Sequence, residues 1–223
     1  MYNELKTTEL FSYPEHTVAW EYLSGFLYPW QALDGLKEYI LSLGERLPEG
    51  RYDSPERGVY IAKSAKIAKG AYIGSPCIID EDAEVRHGAF IRGCAIVGKG
   101  AVVGNSAELK NAILFDAVQV PHFNYVGDSI LGYKSHLGAG AITSNVKSDR
   151  REVSILYMGE RVMSGRKKLG AILSDFVEVG CNSVLNPGTV IGAHTNVYPL
   201  SSVRGYIKPN HIFKSPSDIV EKM

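Results

Sequence analysis

Ile61-Ala-Lys-Ser-Ala65-Lys-Ile67-Ala-Lys-Gly-Ala71-Tyr-Ile73-Gly-Ser-Pro-Cys77-Ile-Ile79 opens a run in which an aliphatic residue returns every six positions. The series continues through Val85, Ile91, Val97, Val103 and Leu109 to Phe115. Four residues after each of its first nine members stand Ala65, Ala71, Cys77, Ala83, Ala89, Ala95, Ala101, Ala107 and Ile113, all small but the last. An amphipathic helix repeats near 3.6 residues and a half-buried strand near two, so neither generates this double pattern. A period of six predicts three short flat strands per coil, the aliphatic side chain pointing into a narrow prism and the small one relieving a corner. Coils of 18 residues then stack about 4.8 Å apart, and residues 18 apart lie above one another. The expected fold is all-β, a parallel β-helix of hexapeptide repeats.

The phase slips between Phe115 and Leu131, which places an irregular stretch at Val120-Pro-His-Phe-Asn-Tyr-Val126. Leu131, Leu137 and Thr143 resume the step, and residues 144–171, with Asp149-Arg-Arg-Glu152 and Arg166-Lys-Lys168, lose it. That stretch reads as a projecting loop or hairpin. Leu173, Val179, Leu185, Ile191, Val197 and Val203 restore the repeat, so the β-helix is expected over 59–205. Ser215-Pro-Ser-Asp-Ile-Val-Glu-Lys-Met223 suggests a short terminal helix within a 206–223 tail. Residues 1–58 carry no hexad but hold Trp20-Glu-Tyr-Leu-Ser-Gly-Phe-Leu-Tyr-Pro-Trp30 and a helical spacing through Leu33, Leu36, Tyr39, Ile40 and Leu43, which predicts a small, mainly helical N-terminal cap.

Lysine plus arginine equals aspartate plus glutamate at 24 each, so no global field draws the chain to nucleic acid or anionic lipid, and an anion site must be a local cluster. The N-terminal residues do not read as a signal peptide and no run reaches membrane-span length, which suggests a cytoplasmic protein without a membrane partner. Cys77, Cys94 and Cys181 form no CxxC pair, which argues against a disulfide framework or a cysteine zinc site.

The coil length serves as a ruler for chemistry. Arg92 and Lys110 are 18 apart at the position after the inward aliphatic, so the repeat places two cations side by side on adjacent coils. They repel unless an anion or a carboxylate lies between them, which reads either as a phosphate site or as a surface neutralised by residues such as Glu108. His122 falls in the phase slip, three residues before Tyr125, as a structural imidazole or a proton acceptor. Gly138-Ala139-Gly140 offers a side-chain-poor strip at which a ligand could approach the backbone, or a sterically required corner, and Asn145 follows it.

Ala107-Glu-Leu-Lys-Asn-Ala112, Pro121-His-Phe-Asn-Tyr125-Val-Gly-Asp128 and Leu137-Gly-Ala-Gly-Ala-Ile-Thr-Ser-Asn145 resemble the acetyltransferase domain of bifunctional N-acetylglucosamine-1-phosphate uridylyltransferases. They resemble the archaeal-type sugar-1-phosphate nucleotidylyltransferases with an acetyltransferase β-helix more closely still, over roughly residues 59 to 214. The resemblance implies a left-handed β-helix, a homotrimer, acetyl-CoA as co-substrate and an amino-sugar 1-phosphate acceptor such as glucosamine 1-phosphate, with no metal. It implies that Arg92 and Lys110 hold the sugar phosphate, that His122 is the general base and that Tyr125 contacts the sugar. Ala139, with Gly138 and Gly140, would lie along acetyl-CoA, Asn145 on the acceptor side and Lys168 near the thioester.

The nucleotidylyltransferase half is missing from the resemblance, and Phe26-Leu-Tyr-Pro-Trp-Gln-Ala-Leu33 is similar to the linker that follows it. His136 stands where the bacterial relatives carry a sugar-contacting asparagine, which bears on the acceptor's identity. Two functions stay open from the sequence: an acetyl-CoA-dependent N-acetyltransferase, and a non-catalytic trimeric module that binds a sugar phosphate or nucleotide sugar, related to UDP-N-acetylglucosamine pyrophosphorylase. A β-helix carbonic anhydrase would need three metal-bound histidines, drawn from His87, His122, His136 and His194, which form no sequence cluster.

Overall fold

The computed structural model describes residues 2–222 as a three-faced parallel β-helix flanked by short helices. The first face stacks Lys66–Ile67, Glu84–Val85, Val102–Asn105, Gln119–His122, His136–Leu137, Glu178–Val179, Asn196–Val197 and His211–Ser215, all parallel. The second and third faces merge into one 14-stranded sheet, because Glu108–Leu114 and Tyr125–Leu131 run unbroken around the corner between them. From Ile79 onward the inward column is buried for the reason the repeat gave, each aliphatic side chain having its stacked neighbours for surroundings, whereas Ile67 on the first coil is 39% exposed.

Registers locate the phase slip. Phe90 pairs with Glu108, eighteen residues on, whereas Ala95 pairs with Ala112 and Glu108 with Tyr125, seventeen residues on. The missing residue is lost where Arg92-Gly-Cys94 turns one corner and Lys110-Asn111 turns the next. Gly127-Asp128 repeats the two-residue corner. The inward column therefore runs Leu109, Leu114, Val120, Val126, Leu131, and Val120 to Val126 is not the irregular stretch expected: Val120 pairs with Val103 and His122 with Asn105 in unbroken ladder. Phe115, expected inward, is displaced by Leu114 and packs outward on Phe11, ring centroids 4.8 Å apart.

At the next corner residues 144–170 replace a turn. They contain an antiparallel hairpin, Ser154–Tyr157 with Glu160–Met163, and Val153, Ile155 and Leu169 are buried, so the excursion lies back on the coils; Ala171 already belongs to a coil strand. The solenoid runs past 205 to Phe213, whose segment pairs with Asn196–Val197. Among the described residues no C-terminal helix forms. Asp218–Glu221 pairs antiparallel with His211–Ser215 and covers the edge of the last coil's first face, which a helix would have left unpaired.

The N-terminal segment does more than cap an end. Along the third face the outward residues Ile78, Ile96, Ile113, Ile130, Ile172 and Val190 form a ladder, every one fully buried. The helix Leu36–Gly44 packs against Cys77–Ile79, and Pro29–Leu33 against Tyr125–Leu131. Leu5, Leu23, Trp30, Leu36 and Ile40 join this second core outside the prism. Tyr52–Glu56 then pairs antiparallel with Val59–Ala62 and closes the first coil.

Candidate functional site

The candidate residues gather at two edges of the second face. At its far edge stand the two tight corners. Asn111 and Asp128 occupy them with φ of 51° and 48°, a left-handed conformation that Asn and Asp adopt more readily than most side chains. The Asp128 carboxylate is 3% exposed, and four groups close on it. Lys110 Nζ lies 3.1 Å away, Asn111 Nδ2 donates at 2.8 Å, Asn145 Nδ2 donates to the other oxygen, and Arg166 Nη2 lies at 3.8 Å. Arg166, 9% exposed on the side chain, also bonds Asp34 of the N-terminal segment and the Lys168 carbonyl at 3.1 Å.

Arg92 and Lys110 stand on adjacent coils, Leu109 pairing with Ile91 just before them. Each has a carboxylate: Arg92 Nη1 lies 2.8 Å from Glu108 Oε1, and Lys110 from Asp128. Both line a cleft of about 420 Å³ with Leu33, Asp34, Lys37, Cys94 and Arg166. Burial pushes the Cys94 thiol up, against the pull of Lys37 and Lys110, so it remains a neutral thiol. Tyr125 lies on the face between the two edges, its ring over Gly127 and its hydroxyl accepting from Asn145 Nδ2 at 3.2 Å. Burial first, then the Asp128 and Glu108 charges, pushes its phenol up, so it acts as a neutral hydroxyl.

The near edge carries His122 and the glycine strip. Gly140 N–H donates to the His122 carbonyl at 3.0 Å, and Asn124, 2% exposed, donates to the Gly138 and Ala141 carbonyls at 2.9 Å each. The Gly138 amide is committed to Val179 O and the Gly140 amide to His122 O; the Ala139 amide has no backbone partner among the described residues. The His122 side chain is exposed and its imidazole makes no hydrogen bond among those residues.

His122 and the Gly138–Gly140 strip thus come together, as do Arg92, Lys110, Tyr125 and Asn145. Lys168 does not join the strip: its backbone bridges Val146, on the far edge. His136 opens the short strand His136–Leu137 on the first face, its Nδ1 2.8 Å from Glu178 Oε2, and does not line the cleft. No three His, Cys, Asp or Glu side chains converge among the described residues, so within one chain His87, His122, His136 and His194 build no three-histidine centre. Among the described residues no helix is long and apolar enough to cross a membrane.

Sequence reasoning missed Asp128, Asn111, Arg166 and Lys37 as members of the site. Asp128 carried a signal, lying eighteen residues after Lys110 as Lys110 does after Arg92. Arg166 showed only as part of a basic run, and nothing in the sequence tied Lys37 to the coils.

Residues 73–207 match the family model described as the GMPPB C-terminal domain. The bifunctional sugar-1-phosphate nucleotidylyltransferase/acetyltransferase of Sulfurisphaera tokodaii is 36% identical over 109 residues, 49% of this chain and 27% of that protein. The bifunctional protein GlmU of Methanococcus maripaludis is 40% identical over 90 residues, 40% of this chain and 22% of that one. The matched stretch therefore spans about a quarter of these relatives' length. The solved structure of the polySia specific acetyltransferase NeuO shares the fold, with TM-score 0.51 and 13% identity over 71% of this chain and 80% of that one.

Proposed function

This chain belongs to the GMPPB C-terminal domain family, and from that premise we propose that it transfers an acetyl group from acetyl-CoA to the amine of an amino-sugar 1-phosphate. The observation that carries the reading is the placement of His122 at one edge of a coil face and of the Arg92–Lys110 pair and Asn145 at the other, with Tyr125 between. Gly127, the register partner of Lys110, is five positions after His122, so the His122 and Gly127 backbones stand at most ~17 Å apart. In the proposed complex a hexosamine phosphate bridges this span. The named acetyltransferase relatives support the same reading.

Arg92 and Lys110 would bind the phosphate and Tyr125 and Asn145 the sugar. His122 takes a proton from the sugar ammonium, and the freed amine attacks the thioester carbonyl. The Ala139 amide, unengaged beside His122, donates to the oxyanion of the tetrahedral intermediate. The adduct nitrogen loses its extra proton to solvent, collapse breaks the carbon–sulfur bond, and CoA leaves as the thiol with the proton that His122 returns. Lys168, whose backbone bridges Val146 at the far edge, is assigned to the acceptor side. The exposed apolar Phe123 and Leu200, at 61% and 79%, lie on the His122 edge and support assembly of the working unit as a homotrimer. A cytoplasmic location goes with this reading.

Incubation with acetyl-CoA and glucosamine 1-phosphate, following free thiol, tests the reading: wild type releases CoA and His122→Ala falls at least ~100-fold. Equal thiol release by both proteins rejects it. The imidazole's lack of a hydrogen-bonded orienting partner favours a second reading, a non-catalytic sugar-phosphate or nucleotide-sugar module. Ligand binding that survives His122→Ala, with no turnover by wild type, would establish that one.

A further inference from the structure

The cleft at the far edge is built from three parts of the chain. The coils supply Arg92, Lys110 and Cys94, the 144–170 excursion supplies Arg166, and the N-terminal segment supplies Asp34 and Lys37. Residues 34 and 37 lie outside the family-matched stretch 73–207, so this wall belongs to the part of the chain that the family does not describe.

The four cations are not equivalent. Arg92 holds Glu108, Lys110 holds Asp128, and Arg166 is held between Asp34 and Asp128. Among the described residues the Lys37 ammonium is in no ion pair and no side-chain hydrogen bond. A cation already paired with a carboxylate offers an incoming anion only the difference between two attractions, whereas an unpaired one offers its whole charge. The helix fixes where that charge stands. Leu36 and Ile40 are fully buried on the third-face ladder, which sets Lys37 at the rim beside them and over the cleft. Arg166 clasps Asp34 and buried Asp128 at once, so the N-terminal wall and the excursion are tied to the corner that carries Lys110. An opening of about 420 Å³ is of the size that holds a small organic ligand.

We propose that Lys37 is a phosphate-binding residue of this cleft, through which the N-terminal segment selects a phosphorylated sugar over its unphosphorylated counterpart. The ligand's identity rests on the acetyl-acceptor reading above; the anion site does not.

Calorimetry on the full chain without acetyl-CoA, with glucosamine 1-phosphate and glucosamine as probes, tests it. Lys37→Ala weakens glucosamine 1-phosphate binding roughly 10-fold or more, the scale of one charge-assisted contact, and leaves glucosamine binding unchanged. Lys37→Arg, which keeps the charge, stays near wild type and shows that the loss is not misfolding. Affinity for glucosamine 1-phosphate within twofold of wild type in Lys37→Ala overturns the proposal, as does wild type that binds neither probe. Lys37-dependent binding without CoA release would end the acetyl-transfer reading and leave the phosphate site standing. CoA release with an unchanged acceptor KM in Lys37→Ala would do the reverse.

Discussion

Lys110 Nζ lies 3.1 Å from a carboxylate oxygen of Asp128, a side chain only 3% exposed, and one oxygen or the other of that carboxylate also meets Asn111, Asn145 and Arg166. A buried charge with this many donors holds its neighbours in place more than it adds net stability, because its desolvation offsets much of the attraction. Removing it is another matter. Asp128→Ala leaves Lys110 and Arg166 facing each other without their carboxylate, at a corner whose φ of 48° disfavours alanine. We expect a loss of about 3–5 kcal/mol in chemical denaturation. Asp128→Asn keeps the left-handed preference and two lone pairs and should lose less. Equal losses in the two variants would mean that charge pairing and backbone geometry at this corner contribute nothing separable.

Gly104 stands where the coil bearing His122 comes closest. A methyl group there would overlap the Pro121 carbonyl, a backbone group that cannot swing aside. Gly100 offers the contrast: a methyl group there meets nothing within 4 Å, but its φ of 64° strains any L side chain. Gly100→Ala should cost about 1 kcal/mol. Gly104→Ala should cost more, roughly 2–3 kcal/mol, and lower turnover as well by shifting the Pro121–Asn124 corner. Thermal melts in which Gly100→Ala is the more damaged protein would contradict the steric argument.

Burial pushes the Asp80 carboxyl up, more strongly than the Tyr52 hydroxyl, Lys99 and Arg51 pull it down. Its folded value then exceeds the unfolded one of about 3.9, so the native state binds more protons and stability falls as pH rises through that window. Asp116 and Asp175 are raised by the same dominant cause and act in the same direction. Asp80→Asn removes one of these groups. Its Tm should therefore decline less than that of wild type between about pH 4 and neutrality. A decline at least as steep as wild type's would show that Asp80 is not a source of the dependence.

How far the sequence could be read follows from which periodicity each feature obeys. The inward column is strictly periodic and was legible through Leu109, because every coil needs the same filling. Beyond it, counting in sixes took Phe115 for Leu114 and put the irregularity at Val120–Val126, when the dropped residues are at Lys110-Asn111 and Gly127-Asp128. A corner that loses a residue keeps its ladder, so nothing local marks it. The ladder Ile78, Ile96, Ile113, Ile130, Ile172 also returns once per coil, yet an outward position is normally solvated and gave no reason to expect a cover. Arg92 and Lys110 were found by the ruler of eighteen. Lys37 was not, because it reaches the site through tertiary packing of a segment that has no repeat.

That cover is tested most directly where two aromatic rings meet across it. Phe11, 2% exposed, lies against fully buried Phe115 at 4.8 Å between centroids, and the neighbouring Ser12 amide donates to buried Asp175 at 2.8 Å. If the N-terminal segment is part of the core, Phe11→Ala opens a cavity and costs about 3–5 kcal/mol, as Phe115→Ala does. The two losses should not add. Residues in contact typically show coupling of about 0.5–3 kcal/mol, and here the double variant should lose less than the sum by about that much. A segment that merely rests on the coils would give a different result: Phe11→Ala near wild type in its denaturation midpoint, Phe115→Ala destabilised by itself, and no coupling between them.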